Sequence, residues 1–494
     1  MIEGVEITAT HGVIATGPAD AARIGGQIFA GGGNAADAVA AACLACAVLE
    51  PQAVDLGGYV FAAVVLEGNS GTVWSIDANA VAPAAARADM YRVLPRRNGT
   101  PGINELEYGC SVEDDANVYG PLSVAVPGFV GGVGTLSQRW GCLPWDEIVA
   151  PAQRLIAGSI DYSLVQSATD FKRPVIARYP STDAILPEGA TGLWPRPGLV
   201  RTLARLAQAG WRDFYDGDIG RRIADFVAEQ GGILTREDMA SFDPRTTEPH
   251  EGSYHGARLY TALPPNGGYS VLDAMRDLET RDLAPESDPR YWSEIADVLK
   301  GMWARRLGGI TPVAASPHGT IHIAAADRQG NLVSATISQG GLFGSCLAVP
   351  ETGIILGHGM CRFDPRPGVE NSVAAKKRPL NNVCPLIIRM ADRDVAMGAR
   401  GGRRIVSVAV QLIDRVVRQG CTVREAAIAP RVHTITGDPL EVSAGFNPTI
   451  RDSLIHDGWR IAVPEEVAGA AHGAEILMGE SSLRAGGNTW AVGV

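Results

Sequence analysis

The chain has 494 residues, 46% of them apolar and 20% charged, with a formal net charge of −11. That balance excludes a general nucleic-acid-binding surface, fits a soluble acidic enzyme and supplies material for a large core. No apolar run reaches about 18 residues, so no transmembrane helix is expected. The opening MIEGVEITATHGVIATG has no basic region leading into an apolar stretch, so no secretory leader is expected and the compartment is read as cytoplasmic. Eight scattered cysteines do not form a disulfide framework. Cys43 and Cys46 stand in a C-x-x-C within an Ala-rich helical run, with no second pair. They are read as small buried hydrophobes rather than zinc or redox ligands.

In chain order, Val13–Ala15 reads as a short strand and Ala21–Ala30 as a helix ended by Gly31-Gly32-Gly33. Asn34 is placed to cap the Ala-rich helix that follows. Tyr59–Leu66 is a continuous apolar run with β-branched residues, which predicts a strand buried on both faces, paired with residues 72–76. From about 120 to 310 the texture turns helical, with apolar spacing of three and four over Leu199–Gln208, Gly220–Glu229 and Tyr291–Leu307. Thr235 opens a short helix with acids in its first turn. Strands return at 320–327, 332–338, 383–390 and 394–399, then a helix from about Gly402 to Arg418, and weaker strands at 438–443 and 489–494.

Three places carry chemistry. Gly319-Thr320 puts a threonine at the start of a strand directly after a glycine. A threonine needs a base beside it, and cleavage in front of it supplies its own freed α-amine. The facing strand offers the hydroxyls of Thr336 and Ser338 on one face, and His322 shares the face of Thr320. Gly401-Gly402 ends a strand just before a helix, where free N–H groups and the helix dipole can hold an oxyanion. Asn381-Asn382, after the Lys376-Lys377-Arg378 run, could line a pocket with amide donors. No metal-binding spacing is present, and the chemistry calls for no cofactor.

These segments, in this order, resemble the gamma-glutamyltransferase (glutathione hydrolase) family over nearly the whole chain. The resemblance rests on Gly31–Val48 with Glu50-Pro51, Ala82-Pro83 with Asp89-Met90-Tyr91, and Ser123–Gly128. It continues through Phe214-Tyr215-Asp216-Gly217, Gly231–Thr235, Pro264–Gly268, Asp327–Asn331 and Phe343-Gly344-Ser345. It implies an α+β fold, the four-layered αββα sandwich of N-terminal-nucleophile hydrolases, with the helical middle as a lobe. It also implies self-cleavage into a large subunit (1–319) and a small one (320–494) that stay associated, with further homo-oligomers open. Thr320 would be the nucleophile, Thr336 the supporting hydroxyl, and Gly401 and Gly402 the oxyanion pair.

The implied substrate pocket departs from the family pattern. Asn79 stands where the family has a carboxylate-gripping arginine, and Asn381 and Asn382 stand where it has two serines. Cys361, Arg362, Gly340 and Gly359 replace the amine-binding set. Arg362 would repel an ammonium group and attract a carboxylate, and Arg400 adds a second positive charge. Asn79, Ser338, Arg362, Asn381, Asn382 and Arg400 are therefore expected to meet a small carboxylate-bearing amide. Oxamate-like or glutaryl-like compounds fit, as in the oxamate amidohydrolase and cephalosporin acylase branches. The alternatives are a gamma-glutamyl hydrolase or transferase, and an unprocessed relative that only binds a small acid.

Overall fold

Strands Gly319–Asp327 and Leu332–Gly340 form the centre of a seven-stranded antiparallel sheet. Gly12–Thr16 and Trp490–Gly493 extend it on one side, and Val60–Leu66, Val73–Asn79 and Arg245–Thr247 on the other. This computed structural model describes residues 4–97, 102–158, 160–187, 192–308, 319–464, 470–478 and 482–494. A second seven-stranded antiparallel sheet runs in the order Val5–Ala9, Leu483–Gly487, Ala471–Leu477, Arg393–Ala399, Leu386–Arg389, Ala257–Thr261 and His250–Tyr254.

The two sheets face each other. Val13, Ala15, Ala324 and Ala326 of the first meet Ile387, Ala396, Ala474 and Ala485 of the second. Alanines dominate this layer, so the sheets approach closely and leave little room for polar groups except at their ends. The opposite face of the strand Gly319–Asp327, with Ile321, Ile323 and Ala325, packs on helices that include Ala35–Leu49 and Phe129–Trp140. The outer face of the second sheet is covered by Gly268–Glu279, Pro289–Leu307 and Arg404–Val417. The result is the expected αββα order of layers. The helical middle of the chain divides between the two outer layers.

All fifteen residues of Ala35–Leu49 are buried. Small side chains let this helix lie flat against the sheet, and Asn34 caps it by accepting from Ala36 and Asp37 amides while Asp37 bonds back to Asn34. Cys43 and Cys46 lie inside it as free thiols, and burial drives both far above their ordinary range. Asp327 ties the turn after the strand Gly319–Asp327 to the same helix, accepting from the Ala35, Gln329 and Asn331 amides.

Several boundaries differ from the sequence reading. The strand expected at 383–390 is Leu386–Arg389, because Pro385 has no N–H to give to a ladder. The helix expected from Gly402 starts at Arg404, since Gly401 and Gly402 hold φ of 131° and 60°. The weak strand at 438–443 is Leu440–Val442 in a small separate sheet. Among the described residues no helix is long and apolar enough to cross a membrane, and no group of three or more His, Cys, Asp or Glu could hold a metal ion.

Candidate active site

Side chains alternate along the strand Gly319–Asp327, so Thr320 and His322 point into the space between the sheets, as Ala324 and Ala326 do. Thr320 sits at the end of that layer, 5% exposed. Its register partner is Ser338, and their hydroxyl oxygens lie 3.0 Å apart. The Ser338 hydroxyl donates to the Gly319 carbonyl and accepts from the Gly340 amide at 2.9 Å. With its one proton committed to Gly319, Ser338 receives the Thr320 proton. The carbonyl of the Gly319–Thr320 bond is thus polarised beside the hydroxyl that could attack it.

Thr336 is placed elsewhere. The expected supporting hydroxyl lies one register pair inward, where it bonds His322 Nδ1 at 3.0 Å and is fully buried. Thr336 and Ser338 share a face, but antiparallel register alone decides which of them is opposite residue 320. The His322 ring stacks on His472 with centroids 6.5 Å apart. Burial pushes His322 down to about 3 and His472 well below its usual range, so both are neutral at pH 7.

Gly319 is needed for space rather than for an unusual φ. A Cβ there would sit 2.8 Å from the Ala53 backbone and 3.0 Å from the Gln52 carbonyl. The residues in front of it, Ala315–His318, lie outside the described residues.

Across the layer, Met397 accepts from Ser334, and Gly398 lies so near His322 that a Cβ would fall 2.5 Å from the ring. Following this strand in chain order therefore leads from the sheet interior towards Thr320, and the Gly401–Gly402 turn emerges at that end. The helix amides of Arg404 and Ile405 bond back to the Gly401 and Gly402 carbonyls. The amides of Gly401 and Gly402 themselves have no acceptor among the described residues. Arg400, half-buried, stands near Glu50 and His472. Burial raises the Glu50 carboxyl, and Arg400 opposes the rise.

The other expected pocket residues divide. Asn79 and Asn381 are 0% and 1% exposed and are bonded to each other and to Asn266. Asp77 accepts another Asn79 proton, and the Val383 amide donates to Asn381 Oδ1. Their amides are consumed in this network, which corrects the expectation that they are open to substrate. Asn382 does line a cavity, with Trp303, Tyr108, Glu107, Arg362 and Arg403. Gly340 and Gly359 have no room for a larger group, one against His358 and the other against Ala80 and Ala125.

Arg362 is not a free cation. It meets Glu107 at 3.3 Å, and Glu107 also holds Arg403 at 2.8 Å. The three form a buried Arg–Glu–Arg group with a formal surplus of one positive charge. Tyr59 links it to the strand opposite Thr320. Its amide donates to the Ser338 carbonyl at 3.0 Å, and its hydroxyl, raised to about 12 by burial, is beside Arg362. Sequence reasoning missed Tyr59, Glu107 and Arg403. Arg403 adjoined the glycine pair and Tyr59 opened a predicted strand, but nothing local marked Glu107 as the acid between Arg362 and Arg403.

The gamma-glutamyltranspeptidase family model matches residues 21–311 and 308–494. The chain belongs to the gamma-glutamyltranspeptidase family. It is an amidohydrolase of that family. It is 29% identical to the acylase ACY 1 proenzyme of Pseudomonas sp. (strain V22), over 98% of this chain and 94% of that protein. It is 27% identical to the glutathione hydrolase proenzyme of Escherichia coli (strain K12), over 93% and 87% respectively. The fold also matches that of cephalosporin acylase from Bacillus halodurans, with a TM-score of 0.85, 23% identity, and 99% and 97% of the two chains covered.

Proposed function

We propose that this family member is a self-processing amidohydrolase, and that Thr320 first breaks its own Gly319–Thr320 bond and then cleaves a small carboxylate-bearing amide. The observation that carries this is the joint placement of the Thr320 hydroxyl and the Gly319 carbonyl on Ser338. In processing, Thr320 Oγ1 adds to the Gly319 carbonyl carbon, the C–N bond breaks, and water hydrolyses the resulting ester. The products are a Gly319 carboxylate and a Thr320 with a free α-amine.

In turnover that amine takes the Oγ1 proton as the oxygen adds to the substrate carbonyl. Its pKa of roughly 7.7–8.0 suits this role near neutral pH. The Gly401 and Gly402 amides receive the oxyanion, and the ammonium returns its proton to the departing amine. Water, activated by the same amine, then releases the acid from the ester. No cofactor enters any step.

Cleavage at this bond leaves both sheets intact. The strand that begins at Thr320 stays paired with Gly12–Thr16 of one fragment and Leu332–Gly340 of the other. Fragments 1–319 and 320–494 therefore remain one body.

The positive surplus of the Arg362–Glu107–Arg403 group supports an anionic acyl part, either oxamate-like or glutaryl-like. The likeness to a glutathione hydrolase favours gamma-glutamyl compounds as a second reading. Intact mass and N-terminal sequencing of the purified protein test processing, with two fragments and a new N-terminus at Thr320 expected. Turnover of gamma-glutamyl and glutaryl p-nitroanilides and of oxamate separates the substrate readings. One intact chain with no turnover would leave a binding protein that only keeps the fold.

A further inference from the structure

Gly319 lies against the backbone of Gln52 and Ala53, and the carbonyls of that turn are themselves held. Gln52 O accepts from the Phe343 amide and Ala53 O from the Gln339 amide, each at 2.9 Å. Gln339 directly follows Ser338, the residue that donates to the Gly319 carbonyl. The buried Gln339 side chain grips the same turn. Its Oε1 accepts from the Asp55 amide at 3.1 Å, and its Nε2 donates to the Ile355 carbonyl at 2.9 Å.

Asp55 closes the turn. Its Oδ1 accepts from the Leu56 and Ile355 amides at 2.7 and 3.2 Å. Its Oδ2 meets Arg196 Nη2 at 2.6 Å, and the Arg196 and Asp55 side chains are 1% and 0% exposed. Arg196 stands just before the helix Pro197–Ala209, 141 residues along the chain. The same Nη2 donates to the Gly353 carbonyl at 2.6 Å, and the guanidinium lies 4.9 Å from the centre of the Trp194 ring. Burial raises the Asp55 carboxyl, and Arg196 opposes the rise. The turn beside Gly319 is thus fastened to the start of that helix by one ion pair.

An ion pair buried this deeply is a poor source of stability, because desolvating two charges cancels most of their attraction. Its directional bonds fix geometry instead. Asp55 cannot shift without losing an amide donor or its guanidinium, and the Gln52 and Ala53 carbonyls move with it. Those carbonyls confine Gly319, whose own carbonyl rests on Ser338. Attack within one dipeptide depends steeply on such placement, and a shift of about 1 Å can slow it about a hundredfold.

We infer that Arg196 is a positioning residue for self-cleavage: through Asp55 it pins the turn that presents the Gly319 carbonyl to Thr320. This rests on the self-processing reading above and names the device that orients the bond. Arg196 takes no part in the bond or proton changes of that step.

Arg196→Met alone leaves a buried carboxylate unpaired, so the informative protein is the double variant Asp55→Asn/Arg196→Met. It removes both charges and keeps an acceptor for the Leu56 and Ile355 amides. Its melting temperature should stay close to that of the wild type, while the 1–319 and 320–494 fragments appear about a hundredfold more slowly on denaturing gels. Arg196→Lys, which keeps a cation for Asp55, should process faster than the double variant. A pair that is merely structural would change the melting temperature and not the rate. A double variant that processes at the wild-type rate therefore overturns the inference.

Amide hydrogen exchange at Gln339 and Phe343 reads the pin without any cleavage, since both donate to the turn. Faster exchange at these two amides in the double variant, with the strand Gly12–Thr16 unchanged, upholds the pin even if the wild type stays intact, which would sink only the self-processing reading. Equal exchange in the two proteins overturns it.

Discussion

Ser338 Oγ lies 3.0 Å from Thr320 Oγ1 and donates to the carbonyl of Gly319, so one hydroxyl touches both the Thr320 side chain and the carbonyl of the peptide bond in front of it. The contact follows from register: Ser338 is opposite Thr320 and Thr336 is opposite His322. Ser338→Ala should therefore slow the appearance of the two fragments by about a hundredfold, the scale of losing one donor to a developing oxyanion. Ser338→Thr should keep processing, and Thr336→Ala should process nearly as the wild type does. Fragment ratios on denaturing gels over time decide between them.

Gly319 is wedged against the Gln52 and Ala53 backbone. Gly319→Ala adds a methyl where backbone cannot yield, and overpacking of this kind costs about 1–3 kcal/mol. The expected result is a lowered melting temperature together with an unprocessed chain. A Gly319→Ala protein that processes at the wild-type rate would show that the wedge does not position the bond.

Glu107 meets both Arg362 and Arg403. Glu107→Gln removes the charge and leaves two buried guanidinium groups facing each other. Breaking a buried pair in this way costs about 3–5 kcal/mol. Denaturant unfolding should show the loss as a lower midpoint with an unchanged slope.

His433 bonds Ser407 at 2.9 Å beside Trp303 and is pushed down to about 3 by burial, with Arg404 and Arg403 adding to the shift. Its folded pKa is below the unfolded value of about 6.5, so between those values the unfolded chain binds the extra proton. Stability is then full above about pH 6.5 and falls as pH drops, by up to about 1.4 kcal/mol per pH unit for one such histidine. His322 and His472 act in the same direction. Melting temperatures at pH 7.5 and 5.5 should differ less in His433→Gln than in the wild type. An equal drop in the two proteins would mean that His433 is not held neutral.

Much of the fold was legible because its strongest elements announce themselves locally. The strand at 60–66 is apolar on both faces, Asn34 caps the Ala-rich helix, and the amphipathic helices keep their spacing. The strands His250–Tyr254, Ala257–Thr261, Ala471–Leu477 and Leu483–Gly487 were not legible. They are short and broken by Gly, His or charged residues, and they become strands because a neighbouring strand completes their ladders.

The same division runs through the site. By itself the sequence determined the candidate nucleophile Thr320, the glycine pair Gly401–Gly402 and the surplus of positive groups, because each is a local pattern of residue types. Only the tertiary structure decided that Ser338 and not Thr336 meets Thr320, and that Asn79 and Asn381 consume each other's amides. It also decided that Arg362 is tied to Glu107, which Arg403 shares. Those are contacts between residues tens to hundreds of positions apart. Strand register and sheet-on-sheet packing set them, and a one-residue slip in register would have exchanged the faces.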